Sequence, residues 1–264
     1  MQDEETARRA RSFETGAAEY ERLRPEFPEA LFASIRDRAG HRILGRVLEV
    51  GAGTGRATLP LVRLGASIDV VEPSAEMLGV LSDRLSAEGY GDRANLRRAT
   101  FEDVDPQARY DLVIAAQSFH WTDPATRWSR LGSLIRPDGL ASLFWNGWSL
   151  DPTAHDLAAV ERLYQAQAPG LQPDTDDDHR SGPPWAESEI SATPGIELVD
   201  TTRFIWDWRL PIQDYLGLLA TTSQYAVADP ALRRRLFAAL ADILGAQVEL
   251  DGSTVSLVLS SVAG

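Results

Sequence analysis

The sequence predicts an α/β fold: a mainly parallel, seven-stranded sheet with helices on both faces. Three observations carry this. Strand-like and helix-like patterns alternate as far as residue 146. The stretch YDLVIAAQ (110–117) is apolar almost throughout, as a strand buried on both faces must be. The run RVLEV (46–50) opens into the glycine-rich turn GAGTG (51–55) and then a helical stretch, and such alternation builds parallel strands joined by crossover helices.

The elements follow in order. SFETGAAEYERLRPEFPEALFASIRDRAG (12–40) reads as one or two short helices broken at Pro25 and Pro28, since proline removes a donor and restricts its predecessor. RVLEV is the first strand, and RATLPLVRLG (56–65) is helical and stops at Gly65. SIDVVE (67–72) is the second strand. Ser74 can cap the helix AEMLGVLSDRLSAEG (75–89), whose Met77, Leu78, Leu81 and Leu85 share a face. NLRRATF (95–101) and YDLVIAAQ are the third and fourth strands, ATRWSRLGSLI (125–135) is helical, RPDG (136–139) is a turn, and LASLFWN (140–146) is the fifth strand.

Beyond residue 150 the pattern changes. PTAHDLAAVERLYQAQ (152–167) is a helix with Leu157, Val160 and Tyr164 in step, and residues 168–195, rich in Pro, Gly and Asp, read as a long loop. VDTTRFIWDWRL (199–210) alternates as a strand does, and STVSLVLSSVAG (253–264) is a last strand. Between them LPIQDYLGLLATTSQY (210–225) and DPALRRRLFAALADILG (229–245) are amphipathic helices, with Leu232, Leu236, Leu240 and Ile243 on one face of the second. The expected organisation is one compact unit: a helical cap over 1–40, a ligand-binding core over 41–150, and the remaining strands over 151–264 with a helical insertion at about 211–245.

Composition narrows the function. The 264 residues hold 26 basic and 39 acidic side chains, a net charge of −13, which argues against a nucleic-acid partner. Every basic residue is arginine, so lysine Schiff-base chemistry is excluded. There is no cysteine, which removes disulfides, thiolate catalysis and cysteine metal sites. No apolar run is long enough for a membrane span, and the charged start MQDEETARRARSFE has no apolar core of a secretory signal. A cytoplasmic, metal-free protein is expected. The acidic DTDDDH (174–179) reads as a solvated loop rather than a metal site.

Three ligand classes compete for the glycine turn. A phosphate-cradling P-loop needs Gly-Lys-Ser/Thr, and there is no lysine. A dinucleotide fingerprint, G-x-G-x-x-G/A, puts Arg56 where close helix–strand packing wants a small residue. The spacing present is E-x-G-x-G-x-G, from Glu49 to Gly55. That pattern resembles the first motif of class I S-adenosylmethionine-dependent methyltransferases. VVEPSAEML, ATFEDVDPQARYDLVIAAQSFHWTDP and LIRPDGLASLFWN resemble the later motifs of that family, in order. FETGAAEYERLRPEFP and the terminal LLATTSQY, LRRRLFAALADIL and VELDGSTVSLVLS resemble the small-molecule subgroup that includes trans-aconitate methyltransferase-like proteins.

The resemblance implies a Rossmann-like class I methyltransferase fold and S-adenosylmethionine as cofactor. Gly51, Ala52, Gly53 and Gly55 let backbone pass close to the ligand. An acid such as Glu72 can accept both ribose hydroxyls, the role the resemblance gives it, with Pro73 beside it. Glu49 is implied to orient the loop or receive the cofactor's ammonium. Phe101 and Glu102 are implied to flank adenine, with Thr100 where the family often has Asp. Gln117 is implied at the methionyl end, and Tyr20 and Arg24 to close over the cofactor. Met77 is explained by core spacing and is carried as a candidate contact as well.

Methyl transfer is an in-line displacement whose acceleration comes largely from alignment. In QSFHWTDP, His120 is the candidate base if the nucleophile carries a proton, and only binds or orients if it does not. Trp121, Trp145, Trp148, Thr222 and Tyr225 are candidate substrate contacts, while His41 and His155 read as surface residues. The expected function is methylation of a small molecule, with secondary metabolites and carboxylic acids among the candidate acceptors. The alternatives are a non-methylating cyclisation or rearrangement on the same cofactor, a nicotinamide oxidoreductase, and a non-catalytic binding domain.

Overall fold

The computed structural model describes residues 22–176 and 183–262. Seven strands run in chain order: β1 (Arg46–Val50), β2 (Ser67–Val71), β3 (Ala94–Arg97), β4 (Tyr110–Ala116), β5 (Ile135–Leu150), β6 (Ile196–Pro211) and β7 (Gln247–Ser261). They form one sheet ordered β3–β2–β1–β4–β5–β7–β6. The pairs β1/β2, β1/β4, β2/β3 and β4/β5 are parallel, so the α/β expectation holds. The turn read at RPDG is a break in register: Tyr110 pairs with Ile135 but Leu112 with Leu140, and the extra residues leave the ladder.

The helices among the described residues are α1 (Glu29–Ala39), α2 (Thr58–Arg63), α3 (Ala75–Ala87), α4 (Arg127–Leu134), α5 (Leu157–Gln167), α6 (Pro184–Ala192), α7 (Ile212–Ala220), α8 (Ser223–Ala226) and α9 (Pro230–Leu244). Local chemistry sets their ends. Ser74 accepts from the Met77 N–H at 3.3 Å and starts α3 as expected. Asp156 and Asp229 cap α5 and α9 in the same way. Two readings are corrected. Residues 184–192, placed in a long loop, form α6. The buried stripe of α9 is Leu236, Leu240 and Leu244, with Ile243 exposed, because steps of four keep the stripe on one side.

The chain divides into two compact units. Among the described residues, one comprises 26–146, 183–204 and 254–262, and the other 22–25, 147–176 and 205–253. The three sequential blocks expected from the sequence are interleaved between them, and β5, β6 and β7 give residues to both. In the first unit strand alternation builds a core on each face of the sheet. Leu48, Val50, Val113, Ala115 and Leu143 pack on one side, and Val47, Leu112, Ile114 and Phe144 on the other. The second unit has its own core around Val160, Tyr164, Leu218, Leu236, Leu240 and Val248. Each fully buried leucine stabilises by about 1.5–3 kcal/mol. Among the described residues no helix is long and apolar enough to cross a membrane.

Candidate functional site

β1 has β2 on one side and β4 on the other. The strand order reverses there, and ligands bind such sheets beyond the carboxyl ends of the strands at the reversal. The segments leaving those ends are tied together. The Gly51 N–H donates to the Val71 carbonyl at 2.8 Å, and the Gln117 N–H to the Phe144 carbonyl at 2.9 Å. The Ser118 hydroxyl donates to the Val50 carbonyl, and the Asp123 N–H to Glu102 Oε1 at 3.0 Å. Loop 51–55, Glu72 and residues 117–121 thus share one end of the sheet.

Each glycine of the turn has its own reason. A Cβ on Gly51 would lie 2.4 Å from Ser118 Cβ, and one on Gly55 would lie 2.3 Å from Leu81 Cδ1. These two positions are set by packing. All three have positive φ, but at Gly53, with φ +56°, a Cβ would meet nothing within 4 Å. Gly53→Ala should therefore cost only the left-handed strain, about 1–2 kcal/mol of stability. A fall in ligand affinity beyond that strain reports backbone–ligand approach; a binding titration beside a chemical melt separates the two, and unchanged affinity overturns it. Arg56, where a dinucleotide site wants a small residue, is buried and ion-paired to Glu26 at 2.9 Å.

Two carboxylates define the electrostatics. Glu72 is buried, accepting the Gly53 N–H at Oε2 and the Ser74 N–H at Oε1, both at 2.9 Å. Burial raises its pKa, and the two N–H groups oppose the rise. Glu49 has no exposed surface, and neither of its carboxylate oxygens has a hydrogen-bond partner among the described residues. Burial pushes its carboxyl up to about 7; the nearby Thr58 hydroxyl works against this and the Glu72 charge adds to it.

The other expected residues are placed as follows. Ala52, Met77 and Phe101 are buried in the core of the first unit, Phe101 edge-on to Phe119. Pro73 is exposed, with its carbonyl accepting from Arg98. Thr100 caps the turn Phe101–Asp103 through Asp103. Gln117 has φ +55°, the one non-glycine residue with positive φ among the described residues, and its amide donates to the Asn146 carbonyl at 2.7 Å. Strained backbone of this kind gathers at functional sites. His120 Nδ1 faces Trp145 Nε1 at 3.3 Å, and its ring lies 4.7 Å from Trp121. Ser118, which fixes both the turn and the β4 end, was not a sequence candidate; its only signal was its place just past an apolar strand.

Tyr20 lies outside the described residues. Arg24, Trp148, Thr222 and Tyr225 belong to the second unit. There Arg24 bonds the hydroxyl and carbonyl of Thr221, each at 3.0 Å, and its guanidinium sits 5.4 Å from the Trp148 ring. Tyr225 is corrected from a substrate contact to a core residue: it is fully buried with its hydroxyl against that of Tyr164. The Thr222 hydroxyl is used by the Leu219 carbonyl. His155 is also corrected: it is half-buried and accepts the Glu249 N–H at 2.9 Å. Asp174 is not a solvated acid. It accepts from Trp148 Nε1 at 3.0 Å and the Tyr215 hydroxyl at 3.3 Å, and burial lifts its pKa to about 6. The rest of the acidic stretch, from 177, lies outside the described residues. No His/Asp/Glu cluster among the described residues could hold a metal ion.

Comparison with known proteins agrees with this geometry. Residues 48–141 match a family described as a methyltransferase domain. An uncharacterised methyltransferase of Mycobacterium tuberculosis is 36% identical over 135 residues, 51% of this chain and 52% of the relative. The chain thus spans about half the length of the first relatives it matches. A ubiquinone biosynthesis O-methyltransferase of Bradyrhizobium is 34% identical over 96 residues, 36% of this chain and 37% of that protein. A solved structure, a candidate type II methyltransferase from Anaeromyxobacter dehalogenans, superposes with a TM-score of 0.61 at 26% identity, covering 89% of this chain and 97% of the other.

Proposed function

We propose that this chain, whose residues 48–141 form a methyltransferase domain on a Rossmann-like methyltransferase fold, transfers the methyl group of S-adenosylmethionine to a small-molecule acceptor. The observation that carries the reading is Glu72. Its two oxygens are pinned by the Gly53 and Ser74 N–H groups. An ionised carboxylate has about four lone-pair sites, so each oxygen keeps one for a hydroxyl of a vicinal diol. A ribose offers such a pair.

The other residues fit the same ligand. The open space over Gly53 admits a ligand against backbone. The orphaned Glu49 carboxylate is a buried acid that a cation would satisfy. When bound, the cofactor supplies an electrophilic methyl group on a sulfonium. The chain's own work is then to orient and to exclude water: Glu72 fixes the ribose, Glu49 balances positive charge, and Gln117 borders the methionyl end. Glu102 and Thr100 line the adenine side, beside the buried Phe101.

The small-molecule acceptor is supported by the net charge of −13 and by the short similarity to a ubiquinone-pathway O-methyltransferase. Calorimetry with S-adenosylhomocysteine and with NAD tests the cofactor class. Binding of the first and not the second is expected; the reverse overturns the reading. Release of S-adenosylhomocysteine on turnover with a candidate acceptor tests methyl transfer itself.

A further inference from the structure

We infer that Asn146 is a positioning residue of the proposed cofactor site: its side chain ties β5 to Glu26 and to Thr254, and β5 so fixed holds Gln117 in its left-handed conformation. What Gln117 does for a ligand rests on the methyl-transfer reading; the holding does not.

Gln117 needs such a hold. Its φ of +55° is unfavourable for any residue with a Cβ and persists only where the surroundings over-determine it. Two bonds do this, and both run to β5. The Gln117 N–H donates to the Phe144 carbonyl at 2.9 Å, and its side-chain Nε2 donates to the Asn146 carbonyl at 2.7 Å. Both can form at once only while Phe144 and Asn146 keep their places.

The side chain of Asn146 keeps its own carbonyl in place. It is buried; Oδ1 accepts the Thr254 hydroxyl of β7 at 2.6 Å, and Nδ2 donates to the Glu26 carbonyl at 3.3 Å. An amide offers an acceptor and a donor side by side, and both are used here. Phe27, next to Glu26, packs edge-on against Phe144 at 4.8 Å, so the carbonyl that Nδ2 reaches is itself seated on β5. Glu26 also extends the chain of contacts: its carboxylate pairs with Arg56 Nη1 at 2.9 Å, and Arg56 directly follows Gly55. On the other side the Ser118 hydroxyl donates to the Val50 carbonyl, just before Gly51. The links close into a ring that runs from the glycine turn through Arg56, Glu26, Asn146, Gln117 and Ser118 and back to the turn. Every member lies in the first unit. The ring sets the spacing between Gln117 and the glycine turn, the two parts that border the methionyl group in the proposed reading.

The test uses Asn146→Leu, which keeps the size of the side chain and removes both of its polar groups. In a proton–nitrogen spectrum, Gln117→Ala identifies the Gln117 side-chain amide by its loss. That amide is expected to exchange slowly with solvent in the native chain, and to shift and exchange faster in Asn146→Leu. Identical Gln117 signals in the two proteins overturn the holding. Calorimetry then reads the ligand. Gln117→Ala and Asn146→Leu should each weaken S-adenosylhomocysteine binding about 10-fold, the scale of one lost hydrogen bond. Because Asn146 acts through Gln117, the double variant should also lose about 10-fold, whereas independent sites would multiply to about 100-fold. Multiplied losses, or native affinity in either single variant, overturn the positioning role. Should Asn146→Leu fail to fold, Thr254→Val, which drops only the hydroxyl bond to Asn146, is measured in its place against the same outcomes. A native chain that does not bind S-adenosylhomocysteine would sink the methyl-transfer reading, and the spectrum would still decide whether Asn146 holds Gln117.

Discussion

Glu72→Ala is expected to weaken S-adenosylhomocysteine binding by about 10- to 100-fold, or about 1.5–3 kcal/mol, the scale for hydrogen bonds to a charged group. Two losses combine. The ribose hydroxyls lose their acceptor. The Gly53 and Ser74 N–H groups, each now 2.9 Å from a Glu72 oxygen, lose the partner that fixes the turn. Glu72→Gln should fall in the same direction, because one end of an amide presents N–H to a backbone N–H. Isothermal titration checks both variants, and native affinity in Glu72→Ala would remove the ribose assignment.

Glu49→Gln is expected to change how stability depends on pH. Burial raises the Glu49 pKa from 4.5 to about 7. The folded chain therefore keeps a proton between those values that the unfolded chain has lost. Stability from this group is fully present below about 4.5 and is lost as pH rises through about 7. A shift of this size corresponds to about 3 kcal/mol. The glutamine variant has no such group, so the variant-minus-native difference in unfolding free energy should rise by about 3 kcal/mol from pH 4.5 to pH 8 and then level off. Urea melts of the ligand-free proteins at several pH values measure this. Parallel curves would show that Glu49 ionises as an ordinary carboxylate.

Much of the fold could be read from the chain because its signals are local. The first, second and fourth strands are short, largely apolar runs, and Ser74, Asp156 and Asp229 mark helix starts by their own side chains. The glycine spacing with Glu49 and Glu72 likewise sits within one strand–turn–helix–strand unit. What the sequence hid depends on distant partners. Among its described side chains helix α6 buries Ala186 and Ile190, too few apolar steps to stand out in a segment rich in proline, glycine and aspartate. Asp174 reads as one acid among several until Trp148 and Tyr215 are seen to close on it. Ser118 has no motif; it matters because Gly51 lies against it. Ile243 and Leu244 are adjacent apolar residues, and only the packed neighbours decide which faces inward.

The interleaving of the two units bears on how such a protein can be altered. Among the described residues the chain passes between them at 25/26, 146/147, 204/205 and 253/254, and the last three passages fall inside β5, β6 and β7. No cut in the linear sequence frees the second unit without severing β5, β6 or β7. It is not a cassette that recombination can exchange whole. Variation there must come by substitution on helices α5 and α7–α9 and the turns between them, while the sheet holds the register of every strand that enters.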